Sequence, residues 1–291
     1  NRDRVPSDEG EDDVSEPKNG YLWDLAQRAK VTLRNYGEYV VDVKDGDSWK
    51  YRGTKPYLEP NTNTQFPGYN MSIPDQRRAD VYLAELKQYV AAGKLPQLQI
   101  IRLPSDHTSG ARANAPTPRA HMADNDLALG RIVDAVSRSP FWRSTVIFVL
   151  EDDAQNGPDH VDSHRSPLLV ISPYSKGGVI HRFANTTDVI ATIAEILKMG
   201  SLSQFDYYGR PLRDVFGRKA DLRPYSVLTP GVDLNEKNPA QGRGAIESQK
   251  LRLAREDESD DDYFNEILWR AIKGEKSPYP GSKRMPAILP R

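Results

Sequence analysis

Two short polar segments, each following an apolar run, cluster carboxylates and imidazoles able to grip a cation. The first is Leu103-Pro104-Ser105-Asp106-His107-Thr108-Ser109-Gly110. The second runs from Glu151 to Arg165 and carries Asp152, Asp153, Asp159, His160, Asp162 and His164. Three of the five histidines fall in these two stretches, and five acids lie between Glu151 and His164. Acids crowded that closely repel one another unless cations intervene. Carboxylates and imidazoles are the usual ligands of catalytic zinc, while Mn²⁺ and Mg²⁺ favour the carboxylates. Two such ions about 4 Å apart can clamp the attacking and leaving oxygens of a phosphoryl transfer. An acidic loop after a strand is often only solvated turn, and a lone histidine there can cap a helix. Asp152 and Asp153 with His160 and His164, following six apolar residues, are read here as a ligand set. His107 taken alone is evenly balanced between ligand and structural roles. His121, at a helix start, and His181, in an edge strand, are expected to be structural.

These segments need elements to hold them. Leu22, Leu25, Ala26, Ala29 and Leu33 recur at helical spacing, which predicts a helix from Tyr21 to about Arg34. Tyr39–Val43 reads as a strand, and residues 44–75 as a long loop. Asp75 stands where an N-cap would, opening a helix to Ala92 that Gly93 stops. Leu98–Ile101 is a strand, Pro118–Ser137 a helix with Leu127, Leu129, Ile132, Val133 and Val136 inward, and Thr145–Leu150 the strongest strand. Leu168–Ile171 is the next strand, followed by a helix from Asn185 to Leu197 that Asn185 or Thr186 can cap. A last amphipathic helix covers Asp261–Ile272. Continuous apolar strands alternating with helices imply an α/β sandwich around a largely parallel sheet. In such a sheet ligands bind beyond the carboxyl ends of the strands, where both polar segments begin. The expected organisation is an acidic surface loop over 1–18, an α/β core over 19–200 and an irregular extension over 201–291.

Composition narrows the partners. Forty Lys and Arg against 41 Asp and Glu leave a formal charge of −1, with no electrostatic reason to expect nucleic acid or an anionic membrane. No cysteine is present, which excludes disulfides, thiolate metal sites and cysteine nucleophiles. No apolar run approaches the roughly 20 residues of a membrane span.

Asp152-Asp153, Gly157 and Asp159-His160-Val161, with Ser139-Pro140-Phe141-Trp142-Arg143-Ser144-Thr145 leading in, resemble the phosphoesterase family of bacterial phospholipases C and acid phosphatases, within the alkaline phosphatase superfamily. Leu103-Pro104-Ser105-Asp106-His107-Thr108, the Ala123–Arg131 run and Asp159-His160-Val161-Asp162-Ser163-His164-Arg165 are similar to a bacterial subgroup often fused to a β-propeller. Gly20–Asp24 and Ile267–Gly274 extend the likeness over about 19–280. The resemblance implies a three-layer sandwich with two divalent metals, zinc first, with Mn, Mg or Ca as alternatives. Asp152 and Asp153 would be ligands, joined by His164 and His160, with Asp106 and His107 the other ligand segment. Asp106 and His107 are adjacent, where the superfamily often spaces its Asp and His four apart, so which of them coordinates stays open.

The family also places an acidic-Asn motif and a Ser or Thr nucleophile on its first strands, and nothing before Gly20 matches them. The expectation is therefore the C-terminal half of a catalytic domain, incomplete at its N-terminus, whose nucleophile comes from an upstream segment or another chain. The implied activity is metal-dependent hydrolysis of phosphate esters; the rival is a truncated or degenerate module that binds without catalysing. Sulfatases and phosphomutases share the superfamily. Family members are commonly exported, which implies a periplasmic or extracellular location.

Overall fold

The computed structural model describes residues 17–46, 48–152, 166–253 and 259–281. The chain is α/β. Its strands are β1 (Leu33–Tyr36), β2 (Val40–Asp45), β3 (Ser48–Gly53), β4 (Leu98–Ile101), β5 (Ile147–Leu150) and β6 (Leu168–Ile171). Its helices are α1 (Leu22–Arg28), α2 (Asp75–Ala92), α3 (Pro118–Arg138), α4 (Thr186–Leu197), α5 (Gln204–Tyr207), α6 (Arg243–Ser248) and α7 (Asp261–Lys273).

β1 and β4 pair in parallel, Leu33 against Leu98 and Tyr36 against Ile101. The alternation of a strand sends neighbouring residues to opposite faces. Leu33, Leu98 and Ile100 accordingly join one core with Trp23 and Leu25 of α1 and Ala194 of α4. Tyr36 and Ile101 join a second core with Tyr82 and Leu86 of α2 and Ala128, Ile132 and Val136 of α3. Ile147 of β5 and Ile171 of β6 pack against that same second core. Among the described residues β1–β4 is the parallel strand pair, with an isolated parallel bridge between Asn35 and Thr62; β5 and β6 run antiparallel, a pairing that needs no helical crossover.

Three expectations are corrected, the third at the N-cap of α2. The first helix stops at Arg28, not Arg34: Lys30 turns left-handed at φ 58°, and Leu33 enters β1 after the β-branched Val31 and Thr32. The stretch 44–75 is not all loop, because β2 and β3 form a hairpin in which Asp45 faces Ser48 and Gly46 sits at φ 60°. Elsewhere the capping chemistry is as expected. Gly93 closes α2 in the left-handed conformation, and the Asn185 side chain accepts from the Asp188 N–H to cap α4. Pro74, not Asp75, is the N-cap of α2, which frees the Asp75 carboxylate for another task.

Candidate metal centre

β4 leads through Arg102 and Leu103 into a single 3₁₀ turn, Pro104–His107, that carries Asp106 and His107. This turn is fastened from beneath by a buried polar network. The Asp75 carboxylate accepts from the Ser105 N–H at 3.0 Å, the Asn125 amide at 3.1 Å and the Arg78 guanidinium at 3.1 Å. The Asp124 carboxylate accepts from the Ser105 hydroxyl at 3.0 Å and the Asp75 N–H at 2.6 Å. The Asn125 amide also donates to the Leu103 carbonyl at 2.7 Å. Residues 103–105 are thus tied to the start of α2 and to the second turn of α3 at three polar atoms. A fully satisfied network of this kind rigidifies what it touches.

Asp106 sits just above that network, accepting from the His107 N–H at 3.1 Å. Burial, reinforced by the negative charges of Glu151, Asp75 and Asp152, pushes its carboxyl up to about 6. Glu151 and Asp152, at the end of β5, are thus within electrostatic range of the turn after β4. The His107 ring lies between Tyr69, whose centroid is 5.7 Å away edge-on, and Phe264 of α7, also at 5.7 Å. The Arg102 guanidinium lies over the outer ring, 5.8 Å from the Tyr69 centroid.

Asp106, His107 and Asp152 are the described members of the expected ligand set; Asp153, His160 and His164 lie outside the described residues. Among the described residues no group of three His, Asp or Glu side chains is spaced to hold a metal ion. Burial and the neighbouring acids Glu151, Asp75 and Asp152 disfavour the charged form of Asp106, a cost that a nearby cation would offset.

Residues 20–200, more than half of the chain, match the Phosphoesterase family. The chain belongs to the phosphoesterase family. No curated protein matches it. In this phosphoesterase, Glu151 and Asp75 were not singled out by sequence as members of the site. Glu151 was visible only as one acid in a run, and Asp75 looked like a capping residue.

His121 was expected to be structural. It is buried in the first turn of α3, and its Nε2 has no hydrogen-bond partner among the described residues. Burial lowers its pKa from the ordinary 6.5, against a smaller opposing pull from Asp124. As pH falls below 6.5 the unfolded chain takes up this proton before the folded one. The stability held above that pH is therefore lost on acidification. Denaturant midpoints measured at pH 7.5 and 5.5 are expected to differ less in His121→Leu than in the wild type. An equal decline in both proteins would remove His121 as the cause.

Proposed function

We propose that this chain supplies the metal-binding part of a divalent-metal-dependent phosphate-ester hydrolase. The observation that carries the reading is the family match over residues 20–200, inside which Asp106 lies within electrostatic range of Glu151 and Asp152. Asp152, Asp153, Asp106 and His107, with His160 and His164, would hold the ions, zinc first, with Mn, Mg or Ca as alternatives. When bound, the metal supplies Lewis-acid stabilisation for charge on the transferred phosphoryl group. The β-propeller-fused bacterial subgroup remains the closest fit to the quoted motifs, and a periplasmic or extracellular location goes with it. Among the described residues no helix is long and apolar enough to cross a membrane.

The attacking hydroxyl is proposed to come from an upstream segment or a separate chain. Two hydroxyls near Asp106 have local partners: Ser105 donates to Asp124, and the Thr108 hydroxyl accepts from the Gly110 N–H. Ser105, Thr108 and Ser109 are all buried. Strands β5 and β6 are apolar, yet none of their residues is buried, and Leu169 is 48% exposed. Strands of that composition are usually covered on both faces, which supports a further layer against them.

The test combines elemental analysis of the purified protein with hydrolysis of p-nitrophenyl phosphate and its bis ester in added Zn²⁺ or Mn²⁺. Stoichiometric metal is expected, with at least a tenfold loss of affinity in Asp152→Asn. A protein that binds no metal would overturn the metal-centre reading. Metal binding without turnover, even after the upstream segment is restored, would favour the non-catalytic module.

A further inference from the structure

The family match ends at residue 200, but the wall behind His107 is built from residues beyond it. Four side-chain hydrogen bonds bind that later segment to the loop following His107. The Asn238 side-chain amide donates to the carbonyls of Gly110 at 3.1 Å, Arg112 at 3.1 Å and Pro116 at 3.0 Å. The Ser248 hydroxyl accepts from the Ala111 N–H at 2.9 Å. Gly110 is left-handed at φ 58°, and a Cβ there would lie 3.1 Å from Leu251, 3.2 Å from the Ser248 hydroxyl and 3.3 Å from Phe264. Loop and extension are therefore in close contact.

Phe264 is the apex of this clamp. It is fully buried in a small core with Leu251, Leu253 and Ile267, and its ring lies 5.7 Å from the His107 ring. That core is braced by Arg270, which spans from α7 to Glu247 of α6 at 2.8 Å, and by the Tyr263 hydroxyl, which donates to the Glu247 carbonyl at 3.2 Å. An imidazole held between Tyr69 on one side and a rigid phenyl on the other has few orientations open to it.

We infer that Asn238, Ser248 and the small core around Phe264 complete the wall of the metal centre, with Phe264 as the positioning residue that fixes the His107 imidazole. This rests on the metal-centre reading for its functional consequence, but not for its structural one.

The experiment compares Phe264→Leu with Leu253→Ala, a cavity in the same core. In metal-free protein, the His107 imidazole resonances and their pH titration are followed by NMR, with His107→Gln for assignment. Zn²⁺ affinity is then measured by calorimetry. Expected are a displaced His107 signal and titration, and a roughly tenfold weaker Zn²⁺ affinity, in Phe264→Leu. Leu253→Ala should leave both near wild type while lowering the melting temperature. If Phe264→Leu leaves the His107 resonances unmoved, or if Leu253→Ala moves them equally, the inference is overturned. If the Phe264→Leu chain does not fold, Ile267→Val and Gly110→Ala give the same readout from either side: the glycine variant should displace His107 and the valine variant should not, and the reverse pattern overturns the inference. Failure of the wild type to bind Zn²⁺ with the His107 displacement intact would sink the metal-centre reading and leave the positioning of His107 standing.

Discussion

Asp106→Asn is expected to stabilise the metal-free protein while erasing its response to metal. The Asp106 carboxyl is pushed from the ordinary 3.8 to about 6 by burial and then by Glu151, Asp75 and Asp152. A carboxyl raised in the folded state contributes stability that is fully present below its unfolded value and lost as pH rises through the folded one. At pH 8 the ionised form therefore opposes folding, by as much as about 3 kcal/mol for a shift of roughly two units. An amide of the same shape carries no charge and removes that opposition. A bound cation would do the same in the wild type and add its own binding energy, about 2.7 kcal/mol at a hundredfold excess over Kd. Thermal melts in chelator at pH 5 and pH 8 should show the metal-free wild type losing ground to the variant only at the higher pH. Melts with Zn²⁺ at pH 8 should raise the wild type by several degrees and leave Asp106→Asn where it was. A variant that is less stable without metal at pH 8, or that still gains from Zn²⁺ as the wild type does, would refute the assignment.

How much of this was written in the sequence depends on the range of the interaction involved. Local chemistry was legible: Gly93 ends α2, Asn185 caps α4, and the four apolar residues Leu168–Ile171 are a strand. Ambiguity entered where one residue satisfies two periods. Leu33 lies four residues beyond Ala29 and so continues the helical stripe, yet it also begins a strand that Leu98 pairs from across the chain. The hairpin β2–β3 was missed because only Tyr51 and Gly53 of β3 have any appreciable cover, so no apolar alternation announces it. Its one local signal was Asp45-Gly46 at the turn.

The site divides along the same line. Asp106, His107 and Asp152 could be nominated from sequence because polar residues directly after apolar strands fall at strand ends whatever the details of packing. The electrostatic hold of Glu151 and Asp75 on Asp106 could not, because it depends on distances that only the fold sets. Asn238, Ser248 and Phe264 carry no sequence mark at all; an Asn, a Ser and a Phe in turn-rich or amphipathic surroundings are ordinary until their partners are known.

The largest loss of stability is expected from Arg78→Met. Arg78 and Asp75 are both fully buried, and burial drives the arginine down and the carboxyl up, each toward its neutral form. They remain together because every side-chain donor direction of the guanidinium is used. Arg78 donates to Asp75 at 3.1 Å and to the carbonyls of Gly68 at 2.5 Å, Ile73 at 2.6 Å, Asn70 at 3.3 Å and Pro67 at 3.4 Å. Methionine fills much of the space but leaves those carbonyls unpaired and the Asp75 charge uncompensated. Removing one partner of a buried pair costs about 3–5 kcal/mol, far more than the pair contributes over an apolar replacement of both. Because Asp75 also holds the Ser105 N–H, the damage should reach the Asp106 turn and weaken metal binding along with stability. Neutralising the orphaned acid should recover part of the loss, so Arg78→Met with Asp75→Asn is expected to be less destabilised than Arg78→Met alone. Urea denaturation of the two single variants and the double would decide it. A loss under about 1 kcal/mol in Arg78→Met, or strict additivity across the cycle, would mean that the pair does not hold the start of α2 against the turn that carries Asp106.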